Sequence, residues 1–213
     1  MKIFFWFFCF FSFTLSAEEV RYINTSTADG GVVYGDFYPA GERAVVLAHG
    51  AIFNRKSWAG LIESLLENNI SVLAIDFRGY GESSPGSGGK ENDVLAAMEF
   101  LKQQKGISKV SLLGASMGGR AVALAAIKAP PGSIDKIILL SPAPIADTAK
   151  LTGNILYIAS RHEPMLGMIQ QQFEKTPEPK KMVLLEGSAH AQHILKTGQK
   201  QTLIETIINF LKQ

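Results

Sequence analysis

The chain has 213 residues, 46% hydrophobic and 19% charged, with a net charge of +2 and one cysteine. That length suits one domain around one core, and a charge so close to neutral, with Lys and Arg scattered, argues against a nucleic-acid surface. The cysteine, Cys9, lies inside an amino-terminal apolar run, so a chain that loses this run has no disulfide to stabilise it.

Lys2 precedes the apolar run at 3–15, and Ser16-Ala17 places small residues ahead of the charged pair Glu18-Glu19. This is the three-part layout of a secretory signal peptide, and the run is shorter than the roughly 20 residues of a spanning helix. The expectation is export to the periplasm or the medium, with cleavage near Ala17. Residues 1–17 are then the signal and 18–213 the mature domain, without stable membrane insertion. An uncleaved anchor is the alternative.

Gly30-Gly31 opens a turn, and 32–38 reads as a strand ended by Pro39. Residues 44–48 form a buried strand, 58–67 a helix and 71–75 another buried strand. Residues 92–104 are an amphipathic helix, with Val94, Leu95, Met98 and Leu101 on its apolar stripe. A strand at 110–113 and a helix at 117–128 follow. Strands at 134–140, 155–159 and 182–185, with helices at 164–175 and 202–211, complete the series. Continuous apolar strands separated by helices predict an α/β domain with a mostly parallel sheet covered on both faces. Ligands of such sheets sit beyond the carboxyl ends of the strands.

Several reactive side chains fall at those ends. Gly114-Ala115-Ser116-Met117-Gly118 is a G-x-S-x-G pentapeptide between a predicted strand and a predicted helix, the context of a nucleophile elbow. Its glycines relieve a tight turn, and the Met117 N–H is left at a helix N-terminus where negative charge is stabilised. A serine hydroxyl needs a base, held in turn by a third group. Of His49, His162, His190 and His193, only His190 lies just past the last strand. The acid is expected between serine and histidine in the chain. Glu163, after the strand at 155–159, fits that place, and Asp147, after the preceding strand, is its rival.

With these residues in order, the chain resembles the α/β-hydrolases over nearly all of 20–213. His49-Gly50-Ala51-Ile52 is similar to the family's His-Gly oxyanion loop, and the run from Asp76 to Ser83 to its D-x-R-G-x-G-x-S segment. Ser116, Glu163 and His190 match nucleophile, acid and base. The resemblance implies an oxyanion hole made by the backbone N–H groups of Ala51 and Met117. It also implies a structural His49, with Asp76 and Arg78 bracing the loops. The chain departs in carrying glutamate where most relatives have aspartate.

Residues 142–153 are too few for the helical cap many relatives carry, so the expected fold is a single-domain α/β-hydrolase fold without a cap domain. Its open site would be rimmed by Ile52, Phe53, Trp58, Met117, Pro142, Met165 and Leu166. No cofactor and no metal is expected, since no HExxH helix, zinc-like cluster or calcium loop is present. The expected activity is an exported serine hydrolase that cleaves an ester, thioester or other acyl bond in a small-molecule substrate. A catalytically idle binding protein and an acyltransferase are the alternatives.

Overall fold

A computed structural model describes residues 19–213, and the signal read at 1–17 lies outside the described residues. Eight strands form one sheet: β1 Arg21–Ser26, β2 Val32–Tyr38, β3 Arg43–Ala48, β4 Ile70–Asp76, β5 Lys109–Ala115, β6 Lys136–Leu140, β7 Asn154–Ser160 and β8 Lys180–Leu185. Their order is β1-β2-β4-β3-β5-β6-β7-β8. β2 runs antiparallel to β1 and β4, and every other pairing is parallel. Five helices accompany the sheet: α1 Ala59–Glu67, α2 Glu91–Lys102, α3 Met117–Lys128, α4 Leu166–Lys175 and α5 Lys200–Lys212.

The central strands are apolar throughout because each of their faces meets a different layer. In β3, Val46 and Ala48 join a cluster with Val94 and Met98 of α2, Val122 of α3 and Ile169 of α4. Val45 and Leu47 point the other way, into a cluster with Leu61 and Leu65 of α1 and Ile204 and Ile207 of α5. The period of two thus persists without showing as alternation in the sequence. Trp58, expected at the rim, is fully buried in this second cluster.

β1 carries no such signal. Its residues are exposed or half-buried on this sheet edge, and Asn24, Thr25 and Ser26 dilute its apolar content. The opposite edge strand, β8, begins with Lys180-Lys181, two residues ahead of its apolar run. Charged residues on an edge discourage pairing with another chain. Between β6 and β7 the chain spans 141–153 with one 3-10 turn, Thr148–Lys150, and no helical cap.

The strand order reverses around β3, where β4 lies on one side and β5 on the other. The crevice outside that reversal point is the expected ligand position. β3 and β5 are in register from Arg43↔Lys109 to Ala48↔Gly114, so the His49 loop and the Ser116 turn leave the sheet side by side.

Candidate active site

Ser116 adopts φ 51° and ψ −113° between β5 and α3. Such backbone for a residue with a Cβ costs about 1–3 kcal/mol and persists only where its surroundings enforce it. Here the Ser116 N–H donates to Leu140 O at 2.9 Å, and Ser116 O accepts from the N–H groups of Ala143 (2.9 Å) and Arg120 (3.1 Å). The flanking glycines are steric necessities. A Cβ at Gly118 would strike the carbonyl oxygen of Ala48, and one at Gly114 would strike that of Gly118. Four non-glycine residues have positive φ among the described residues, and three of them, Ser116, Ser141 and Ala191, converge at this site.

His190 follows β8 and ends at the start of a 3-10 turn, Ala191–Lys196. Its Nε2 lies 3.0 Å from Ser116 Oγ, and its Nδ1 lies 2.6 Å from Glu163 Oε2. The Glu163 side chain is 0% exposed and that of His190 31%. A hydrogen bond from Nδ1–H to the carboxylate leaves Nε2 free to accept the serine proton. The second carboxylate oxygen, Oε1, accepts from Ser141 Oγ at 2.7 Å and from the Ser160 N–H at 3.2 Å. Ser141 Oγ also accepts the Ala191 N–H at 3.2 Å, so one buried hydroxyl touches both the acid and the backbone beside the histidine. Ser160 Oγ donates to Ala189 O at 2.6 Å, fixing the other side of His190.

Asp147 stands elsewhere. It is exposed and pairs with Lys150 at 2.7 Å. His162 is exposed on its loop. His193 is exposed in the 3-10 turn, with its ring edge-on to Phe53 at 5.0 Å between centroids.

The loop after β3 is braced from within. His49 is fully buried, and burial pushes its pKa below the ordinary value. Its Nε2 accepts the Phe77 N–H at 3.2 Å, which puts the ring proton on Nδ1, 2.8 Å from Gly50 O. Gly50 O also accepts the Phe53 N–H at 3.0 Å. In a trans peptide the N–H points opposite the C=O, so these bonds aim the Ala51 N–H away from them. Among the described residues this N–H meets no acceptor. Met117 opens α3, so its N–H is one of the first four, which have no acceptor within the helix. Tyr80 joins the two segments: its hydroxyl donates to Ala51 O at 2.7 Å and lies 3.8 Å from Met117 Sδ.

Asp76 and Arg78 brace the loops through separate partners rather than through each other. Asp76 accepts the Arg55 N–H at 2.7 Å and pairs with the Arg55 guanidinium, which also reaches Asp36 at 3.0 Å. Arg78 grips Asp93 through Nε (2.8 Å) and Nη2 (2.6 Å), and Asp29 through Nη1 (2.8 Å) and Nη2 (3.1 Å). Its charged form is strongly favoured by these two carboxylates. A third brace, Gln192, carried no signal in the sequence. Its Oε1 accepts the Gly50 N–H at 2.7 Å across 142 residues of chain.

The rim is mixed. Ile52 is 78% exposed, Phe53, Met117, Met165 and Leu166 are half-buried, and Pro142 is buried. A cavity of about 1090 Å³ lined by Tyr38, Gly41, Ile62, Leu66, Asn69 and Ile107 lies at the amino ends of β3, β4 and β5, the opposite end of the sheet from Ser116. Among the described residues no cluster of three or more His, Cys, Asp or Glu is placed to hold a metal ion.

Residues 43–163 match the sequence profile of the alpha/beta hydrolase fold. A non-heme chloroperoxidase of Streptomyces lividans is 31% identical over 123 residues, 57% of this chain and 45% of that protein. The chain spans about half the length of the chloroperoxidase relatives it matches. An uncharacterized protein of Mycobacterium tuberculosis is 25% identical over 91% of this chain and 79% of its own. Among solved structures, an esterase of Pyrococcus furiosus superposes with a TM-score of 0.78 at 18% identity, covering 91% of this chain and 90% of that one. An esterase of Exiguobacterium antarcticum gives 0.74 at 15% identity, with 89% and 99% covered.

Proposed function

The chain belongs to the alpha/beta hydrolase fold family, and on that premise we propose that it is an exported serine hydrolase acting on ester or related acyl bonds of a small-molecule substrate. The observation that carries this reading is the continuous chain Ser116 Oγ, His190 Nε2, His190 Nδ1 and Glu163 Oε2, joined at 3.0 and 2.6 Å. Fold alone hosts many activities, so the reaction class rests on these side chains. Export rests on the leader-like residues 1–17.

In the proposed reaction Ser116 Oγ attacks the acyl carbonyl while His190 Nε2 takes its proton. Glu163 holds the ring with Nδ1 protonated and stabilises the imidazolium that forms. The N–H groups of Ala51 and Met117 receive the negative charge of the tetrahedral intermediate, each such donor contributing about 3–4 kcal/mol to the transition state. His190 then protonates the leaving group, and water, activated in the same way, releases the acyl group from Ser116. The 2.6 Å contact between Glu163 and His190 argues against a catalytically idle fold, because the longer acid reaches the base.

Fluorophosphonate labelling of fractionated cells tests the whole reading. The parent protein is expected to label in the exported fraction and to turn over a short-chain nitrophenyl ester, and Ser116→Ala to do neither. A folded parent that never labels sinks the hydrolase assignment. A labelled band confined to the cytosol sinks export alone. Product analysis with a competing alcohol separates hydrolysis from acyl transfer.

A further inference from the structure

The loop that would present the Ala51 N–H to the substrate turns on Gly50, and glycine by itself leaves both of its dihedrals soft. Two peptide planes flank that residue. The following plane is held through Gly50 O by His49 Nδ1 and the Phe53 N–H. The preceding plane is held through the Gly50 N–H, which donates to Gln192 Oε1 at 2.7 Å. With both planes fixed, φ and ψ of Gly50 are fixed, and the direction of the Ala51 N–H with them.

Gln192 is well placed to hold that plane. It is 1% exposed, and its amide donates to Ser57 Oγ at 2.6 Å, which donates in turn to Asn54 O at 2.5 Å. A buried amide with both ends satisfied is rigid, because losing either bond would strand a polar group away from water. Gln192 also lies two residues after His190, in the 3-10 turn that follows it directly. One side chain therefore ties the segment that carries the base to the loop that carries the anion-binding N–H.

We infer that Gln192 is a positioning residue that locks the Gly50-Ala51 loop in its anion-binding orientation. The inference rests on the proposed role of the Ala51 N–H. Its effect should appear where charge develops on the substrate oxygen, not in substrate binding or in the acidic limb of the pH–rate profile.

Gln192→Met keeps the length of the side chain and removes the acceptor. The expected result is a kcat lower by about 10- to 100-fold, below the roughly 10²- to 10³-fold loss for deleting a whole donor. KM for a nitrophenyl ester should stay within about twofold, and the acidic limb of the pH–rate profile should stay in place. Affinity for a trifluoromethyl ketone, which forms an oxyanion on Ser116, should fall by the same factor as kcat/KM. Ser57→Ala, which releases the far end of the amide at a half-buried site, should give the same pattern at about three- to tenfold, and decides the matter alone if the first variant does not fold. Parent-like kcat in an active background overturns the inference. So does a loss accompanied by an equal rise in KM or a shifted acidic limb, which would mean general damage to the His190 segment. An inactive parent overturns the hydrolase reading and this inference together.

Discussion

Glu163 reaches one methylene further than an aspartate, and its surroundings use both of its oxygens. Oε2 meets His190 Nδ1 at 2.6 Å, while Ser141 Oγ and the Ser160 N–H hold Oε1 at 2.7 and 3.2 Å. Burying a carboxylate is costly unless such donors pair with it. Glu163→Gln keeps the size but lets the amide present an N–H to the histidine, favouring the wrong tautomer. Its kcat/KM should fall by about 10³- to 10⁴-fold, whereas Asp147→Asn, at an exposed pair with Lys150, should stay within about twofold. Nitrophenyl ester kinetics on the two variants check this, and the reverse ranking would move the acid to Asp147. Ser116, His190 and Glu163 each carry a local signal: flanking glycines, or a place just past an apolar run. Ser141 and Gln192 carry none. Their partners lie 22 and 142 residues away, and Ser141 matters because its φ of 42° turns its hydroxyl toward a residue on the next strand's loop.

At the scale of elements, the strand–turn–helix at Ser116 was readable because its glycines answer to contacts that any side chain would break. The β4–α2 loop was less so. Its Arg78 reaches back to Asp29 in the β1–β2 turn and forward to Asp93 of α2, partners that its local sequence does not mark. β1 escaped because a half-exposed edge strand needs little apolar content, and only its pairing with β2 defines it. The Arg78 clamp makes a pH-dependent contribution to stability. Its guanidinium, with Thr27 Oγ1, holds the Asp29 carboxyl far below its ordinary value of 3.8. Between those two values the unfolded chain binds a proton that the folded chain refuses, so the contribution is full above about 3.8 and declines progressively as the pH falls from there toward the folded value. Asp29→Asn should therefore lower stability at neutral pH, with the gap to the parent closing on acidification. Urea unfolding of both proteins at pH 7, 5 and 3 measures it, and a gap that widens in acid contradicts the clamp. Because Asp29 is partly solvated, added salt should narrow the gap at neutral pH as well.

For the whole molecule, the sheet buries one cluster under α2, α3 and α4 and another under α1 and α5, and none of the five helices is inserted between β6 and β7 as a cap. The connection between β6 and β7, where a cap would stand, holds one short 3-10 turn. Side chains near the site include Ile52, 78% exposed, and the half-buried Tyr80 and Met117. Under the proposed activity, these side chains would give an acyl chain an open face to lie along. A fully enclosed methylene contributes about 0.8 kcal/mol, or about fourfold in kcat/KM. A chain resting on an open face keeps part of its surface in water, and each added methylene should then contribute less than about twofold. The measurement is kcat/KM for nitrophenyl esters from two to eight acyl carbons. A shallow rise or a plateau agrees with the open site. A fourfold gain per methylene sustained along the series would require an enclosed channel, formed by movement of the Ala51–Phe53 and β6–β7 loops toward each other. The acyl-chain slope thus reads out the shape of the uncapped face separately from the Ser116 chemistry, since the same nucleophile and leaving group act on every member of the series.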